Sequence, residues 1–579
     1  MAYRFGWLFV VIASIAVIYA SSFINYRIDV TAEKRFSLSN ATKQLIGQID
    51  DVIKVQVFLT GDLPADYKKL SIATKDFLDE LKAQSNNRIE ISFEKPWEES
   101  ENDTLKAILA DSLAKLGVVF ERSEVVDNGN EKQTNQLIVP SALVTYGNKM
   151  PIAIDLRSSR KVLKTYNVIN ELPQEDVEAT RNAAEALLEY KFANAIDKLT
   201  RKTIPVVAYV IGNGQPIDRT VNDLGESLRN EYNLGIFNLK QAYPDADKIN
   251  ALLIVKPTLP FTDEDKLKLD QYIMQGGKII WCMDQLHAEL DSLMRTQGSY
   301  TAFSRNLNID DLLFKYGVRI NNDLLQDLNC SKIPLVIGKN PDGSPLMQRI
   351  PFPYYPLLAA HNNNPISKNL DKVLPLFPSS IDTVQAVGIT KTILLASDSN
   401  SRTLSSPAIV SVNSVQSEND FRSFTKSYIP VAVLLEGNFN SLFANRLTAS
   451  VMDSVQKTTG KPFAKMGTKP AKQIVISDAD IVTNSVSSTQ GPLAMGTLPF
   501  ENYRFANREF LLNSVDYLVS NVGLFESRNK DFVLRLLDKK KVEDQRIVWQ
   551  CVNILLPIIL IVIIGLLLQW KRKNKYASN

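Results

Sequence analysis

The chain has 579 residues, with 66 lysines and arginines against 63 aspartates and glutamates and a formal charge of +3. That length supports about three to four domains of roughly 150 residues, and the near-neutral balance with scattered aromatics excludes nucleic acid as a partner on bulk grounds. Three cysteines (Cys282, Cys330, Cys551) and two histidines (His287, His361) are too few for a disulfide framework or an ordinary zinc site, so no metal is expected.

In chain order, the first element is Phe5 to Ile24, "FGWLFVVIASIAVIYASSFI". As a helix its roughly 20 uncharged residues span ~30 Å, enough to cross a bilayer core. It reads as an uncleaved anchor; the alternative is a signal peptide cut near Ala20 or Ser22. Ser39 or Asn40 then caps a helix with Leu45, Ile46 and Ile49 on one face. Val52–Thr60 is a strand, and Ala65–Gln84 an amphipathic helix with Leu70, Phe77, Leu78 and Leu81 inward. Arg88–Glu94 alternates as a strand, Asp103–Gly117 is a helix closed by Gly117, and Asn135–Leu156 is a hairpin around Gly147-Asn148. Over residues 27–165 this order resembles a thioredoxin-like α/β domain, with Pro140 where that fold keeps a cis-proline; a generic α/β sandwich is the alternative. The region holds no cysteine, so thiol–disulfide exchange is excluded.

Residues 166–203 read as a helical connector whose Leu188, Phe192, Ile196 and Leu199 pack against both flanking domains. From 204 to 525 strands and helices alternate again. The runs "IPVVAYVIG", "LGIFNLK", "ALLIVKPT" and "KIIWCMD" predict a doubly wound parallel sheet. Lys391–Asp398, Ile429–Gly437, Lys472–Val482 and the helix Asn507–Ser520 return to it. The insertions Cys330–Pro378 and Thr458–Pro470 lie between, the second expected to be a mobile loop.

The corner Gly212-Asn213-Gly214-Gln215 ends the first of these strands and is the candidate ligand or partner site. It has the shape of a phosphate-binding turn, but Ile217 stands where a third glycine belongs, and the chain has no GxxxxGK[ST] loop. Cys282 with His287 lacks the small flanking residues of a nucleophile elbow, since Trp281 and Met283 adjoin it; a buried structural cysteine is expected. Asp284, Asp398 and Asp478 follow strands and are expected to cap the next turns. Tyr354, Tyr355 and Trp281 are expected in the core rather than lining a ligand pocket. No catalytic, cofactor-binding or metal-ligating residue is assigned, no cofactor is expected, and the chain reads as a non-enzyme.

After a juxtamembrane stretch, 526–546, comes Ile547–Trp570, "IVWQCVNILLPIILIVIIGLLLQW", a membrane helix that tolerates Pro557 and carries Trp549 and Trp570 as end anchors. Gly565 and Cys551 are its small-residue candidates for helix contacts. "KRKNK" follows it, but "DKKKVEDQR" precedes it, so flanking charge is nearly balanced. The expected topology is two-pass in the cytoplasmic (inner) membrane, with both termini cytoplasmic and the large domain periplasmic.

Several stretches together resemble the gliding-motility ABC-transporter auxiliary (GldG) family. They are Arg27 to Lys43, "FLTGDLPADYKKL", "LLEYKFANAI", "NPISKNLD", "NREFLLNSVDYL" and "LRLLDKKKVEDQR". The resemblance implies an accessory, substrate-binding-like subunit working with a separate ABC permease and ABC ATPase in gliding motility and linked protein secretion. It also implies a middle ABC auxiliary domain similar to glutamine-amidotransferase-like sheets. Members often show Gly-His-Gly-Glu at the corner; here Asn213 and Gln215 replace the His and the Glu. The alternative reading is a stand-alone envelope solute- or glycan-binding protein, and an envelope protein or glycan is a candidate ligand under either.

Overall fold

The computed structural model describes residues 37–96, 103–126, 133–158, 177–296, 298–339, 343–415, 417–501, 503–520 and 539–576. The apolar stretch Phe5–Ile24 and the start of the connector lie outside these residues. Chain contacts divide the molecule into two compact units, Met1–Asp531 and Phe532–Asn579.

Ser39 accepts the amide of Thr42 and opens helix α1 (Asn40–Gly47), which buries Ile46. Strand β1 (Ile53–Val57) alternates buried and open positions. Helix α2 (Ala65–Gln84) buries Leu70, Leu78 and Leu81, and its Phe77 meets Phe192 at 5.6 Å between rings. β2 (Ile89–Phe93) runs parallel to β1. Helix α3 (Asp103–Lys115) ends at Gly117, whose φ of +95° suits glycine. The hairpin β3 (Glu121–Val126) and β4 (Gln133–Ile138) follows. β5 (Ser141–Tyr146) lies antiparallel to β1, and β6 (Ile152–Asp155) antiparallel to β5. The resulting sheet order is β2-β1-β5-β6.

Two details differ from the sequence expectation. The strand before Pro140 pairs with β3 rather than with the Gly147 hairpin. The Val139–Pro140 peptide is trans, the cis peptide among the described residues being Ser406–Pro407. Around Val139–Pro140, Ser141 N donates to Val139 O at 2.8 Å and Leu156 N to Pro140 O at 2.9 Å.

Helix α4 (Val177–Thr200) joins this sheet to the next. Leu188, Phe192, Ile196 and Leu199 enter the core of the first sheet, while Tyr190 enters a core of the second. Lys198 extends to Glu231 at 2.7 Å and Asp516 at 3.3 Å, so the helix is fastened to both sides.

The second sheet has eight strands. Five are parallel: β7 (Val206–Ile211), β8 (Asn233–Asn238), β9 (Ala251–Val255), β10 (Ile279–Cys282) and a late strand, Ala471–Ile476. Helix α5 (Asn222–Arg229) connects β7 to β8, and α6 (Asp263–Met274) connects β9 to β10. The insertion after β10 carries the long hairpin β11 (Cys330–Lys339) and β12 (Pro345–Pro356). Then come β13 (Ala359–Ala360), β14 (Ile389–Ala396), β15 (Pro430–Gly437) and the late strand, β16. The order is β13-β14-β15-β16-β10-β9-β7-β8, with β13, β14 and β15 antiparallel to their neighbours.

The sheet is therefore mixed, which corrects the all-parallel expectation. The returning strands occupy the positions their apolar runs demand, but a strand buried on both faces reads the same in either direction. Strand residues alternate between two cores. Tyr209, Leu253 and Ile280 face α5 and helix α7 (Asn507–Val519); Val210, Ile254 and Trp281 face α6. The loop expected to be mobile is tied down. Lys461 bonds Asp245 at 2.7 Å and Asp247 at 2.6 Å, and Ala464 N donates to Gln271 Oε1 at 2.8 Å.

The second unit contains helix α8 (Lys539–Tyr576), with Pro557 inside it. Its residues Val548–Asn574 are long and apolar enough to cross a membrane, and none is buried.

Candidate functional site

β7 leads to β8 on one side while β9 lies on the other, so the order of the sheet reverses between β7 and β9. Ligands of open α/β sheets bind outside the strand carboxyl ends at such a switch point. The corner Gly212 to Gln215 sits there. Gly212 and Gly214 take φ of +121° and +75°. A Cβ on Gly214 would stand 2.1 Å from Thr258 Oγ1 and 3.3 Å from Leu259 N, so the turn demands glycine.

The corner is folded inward. The Asn213 carbonyl accepts the amides of Thr258 and Leu259, both at 3.0 Å. Its Nδ2 donates to Pro260 O and to Asp265 Oδ2, each at 3.2 Å. Gln215 Oε1 accepts the Asn213 amide at 2.8 Å. Asn213 is 0% exposed and Gln215 7%. Asp265 belongs to the capping box that starts α6 with Thr262, and it also pairs with Lys240. Burial pushes the Asp265 carboxyl up, but Lys240, Thr262 and Asn213 hold it below the usual range. The amide of Asn213 thus ties the end of β7 to the start of α6. Gly214 alone of the four borders the adjacent cavity.

That cavity, 440 Å³, opens beside the corner between Lys256, Thr258, Leu376, Thr483 and Leu498. Lys256 leaves β9 in the left-handed region, with φ of +47°. Its Nζ lies 2.6 Å from Asp480 Oδ1 and 3.4 Å from Asp284 Oδ2. Asp284 also accepts the Ala479 amide at 2.7 Å, and Asp478 the Asp480 amide at 2.7 Å and the Leu376 amide. Burial raises the Asp284 carboxyl, against the pull of Lys256. Burial and the charges of Asp480 and Asp284 raise Asp478 further. Burial alone would lower the Lys256 ammonium, but Asp480 and Asp284 outweigh it and hold the proton on. Both carboxylates favour the protonated lysine, the form that pairs charge and not the free amine a nucleophile needs.

Of the sequence candidates, Cys282 is fully buried at the end of β10, and burial with Asp284 and Asp478 pushes its thiol well up; His287 is exposed on the following turn. Asp478 caps the 3-10 turn Ala479–Ile481, and Asp398 accepts the Ser399 amide at 2.7 Å. Asp284 instead reaches across strands to Ala479. Trp281 donates to Gln473 at 2.9 Å, and Tyr354 and Tyr355 pack on Phe352 and Phe377 in a core of the insertion. Lys256 and Asp480 were not singled out in the sequence. The available signal was "DAD", Asp478 to Asp480, directly after a strand. Among the described residues no group of His, Cys, Asp and Glu is placed to hold a metal.

A second cavity, 720 Å³, lies between the two sheets, with Tyr67, Glu121, Arg157, Lys191, Asp371 and Glu509 in its wall. Several of its charges are paired. Arg157 meets Asp155 at 2.8 Å and Glu121 at 3.2 Å, Tyr67 donates to Glu121 at 2.6 Å, and Arg504 meets Glu509 at 2.7 Å.

Fold and site define a mixed α/β protein with an internally fastened switch point and, among the described residues, one helix suited to lipid. Residues 204–514, more than half of the chain, match the family described as an ABC-type uncharacterized transport system, and the chain belongs to that family. Residues 32–145 match a domain of unknown function. An uncharacterized protein of Borreliella burgdorferi is 22% identical over 360 residues, which are 62% of this chain and 60% of that protein. The chain thus spans about 60% of the length of that curated relative. The N-terminal domain of mmIFT52 aligns over 55% of this chain and 98% of its own, at 11% identity and a TM-score of 0.30. An exo-beta-1,4-mannosidase of an Opitutaceae bacterium aligns over 51% of this chain and 35% of its own, at 10% identity and a TM-score of 0.20.

Proposed function

We propose that this member of an ABC-type transport family is a non-enzymatic, membrane-anchored accessory subunit. Its α/β body, outside the cytoplasm, binds an envelope protein or glycan and couples it to a separate permease and ATPase. The observation that carries the reading is the pairing of the family match over 204–514 with the lipid-suited helix at Val548–Asn574. The fastened corner and the charge-locked Lys256 support a binding rather than a chemical role. The 720 Å³ cavity between the sheets is the place we assign to a ligand. Anchoring at both ends, a thioredoxin-like first domain and a role in gliding motility and protein secretion belong to the same proposal. The first-sheet order β2-β1-β5-β6 supports the thioredoxin-like element.

Affinity purification of the full chain from its native membranes in mild detergent tests the reading. An ABC permease and an ABC ATPase co-purify in fixed ratio, and the chain freed of them hydrolyses no ATP. Recovery of the chain without either partner refutes it.

A further inference from the structure

Between Trp549 and Gln569 helix α8 is mostly aliphatic, yet its two amide side chains share one side. Between Trp549 and Gln569 the amide side chains are Gln550 and Asn553. Pro557 has no N–H, so the carbonyl of Asn553, four residues earlier, loses its helical donor. At about 100° per residue, Arg546, Gln550, Asn553, Pro557, Leu560 and Ile564 fall on one stripe. Their spacing of four, three, four, three and four residues is that of a heptad seam. Cys551 points roughly 140° away from it. Gln550 and Asn553 are exposed, and neither side chain has a hydrogen-bond partner among the described residues; Trp549, next to them, donates to Gln545 at 3.3 Å.

In hydrocarbon an unpaired amide and an unpaired carbonyl have no water to turn to, so a neighbouring helix is the favourable partner. We propose that this seam is a dimer contact and that its occupant is α8 of a second copy of this chain. Three observations favour a second copy. An amide carries both donor and acceptor, so Asn553 complements Asn553 across a two-fold axis, and the Asn553 carbonyl gains a donor from the same group. Below the polar notch the seam continues as Leu560 and Ile564, branched side chains that interdigitate with their own kind. The seam's charged end, Arg546, lies before the apolar span that begins at Val548, where water and headgroups screen like charges. The notch fixes register, as a single polar position does in a coiled coil. This inference rests on reading α8 as a membrane span.

The test uses the full chain in native membranes, with Cys330→Ser and Cys551→Ser as background and single cysteines placed by Leu560→Cys or Ile564→Cys. Ile559→Cys and Val562→Cys, on the opposite face, are controls. Oxidation forms a covalent dimer at the two seam positions and not at the controls. Adding Asn553→Leu weakens dimerisation roughly tenfold, and Asn553→Gln restores much of it. Equal cross-linking on both faces, no cross-linking at the seam, or indifference to Asn553→Leu overturns the proposal. An alkaline carbonate wash of the same membranes separates the two claims. Protein retained but not cross-linked sinks the dimer alone; protein released sinks the membrane span and the dimer with it.

Discussion

Helices α6 and α8 invert the usual relation between polarity and burial in opposite ways. α6 carries Asp265, Lys266, Lys268 and Asp270 and buries all four; α8 between Ile554 and Leu568 is almost wholly aliphatic and buries nothing. Buried charge survives in α6 because every group has an assigned partner. Asp270 accepts from Tyr316 at 2.8 Å, Ser441 at 2.7 Å, the Leu442 amide at 2.9 Å and Gln271 at 3.0 Å. Lys268 donates to Leu239 O at 3.0 Å and meets Glu264 at 2.8 Å; Lys266 meets Asp311 at 3.2 Å. The aliphatic side chains of α8 need no such partners if their solvent is hydrocarbon, and only its polar notch at Gln550 and Asn553 does. Polarity alone thus does not say where a helix sits; the supply of partners does.

The comparison breaks most readily at Asp270. Asp270→Ala leaves buried donors unpaired and should lower the unfolding free energy of the body by about 3–5 kcal/mol, read by urea unfolding in detergent. Asp270→Asn sharpens the point through pH. Burial holds this carboxyl above its ordinary value, against its four donors. A raised folded pKa means stability that is full below the unfolded value, about 4, and lost as pH rises through the folded one. Wild type should therefore lose ground to Asp270→Asn as pH rises; a constant gap would contradict the assignment.

The next effect belongs to the other helix. Leu560→Arg should reduce membrane insertion by about 3 kcal/mol while the unfolding of the body moves by less than about 0.5 kcal/mol. Asn213→Asp sets a second carboxylate against Asp265 and should destabilise the body by about 2 kcal/mol, with Asn213→Ala milder. Gly214→Ala, at positive φ against Thr258, should follow at about 1–2 kcal/mol. A neutral result for either corner variant would detach the corner from the fastening role given to it.

How much of this could be read beforehand differs by element. Seven of the eight strands of the second sheet stand out as short apolar runs, and all seven runs join it; the two-residue β13, inside the Cys330–Pro378 insertion, does not stand out. Their direction does not stand out, because β15 and β16 are buried on both faces and carry no alternation. "DEDKLKLD" in α6 reads as a solvated face, since its partners Tyr316, Ser441 and Asp311 are distant in sequence; Thr262 followed by Asp265 was the local sign of where the helix begins. The corner was visible as Gly-x-Gly. That Thr258, Leu259 and Pro260 would close over Asn213 depends on a contact more than forty residues away, as does the left-handed Lys256 with Asp480. Ile547–Trp570 was legible because an unbroken apolar run needs no tertiary partner to be recognised; the structure extends the helix by a turn or more at each end.

Topology measures the central claim most directly. Reporters active on only one side of the membrane are fused after Ser520 and after Asn579 of the full chain. The account predicts that they report opposite sides, with the body outside the cytoplasm and the C-terminus within. Both reporters on the same side would contradict it.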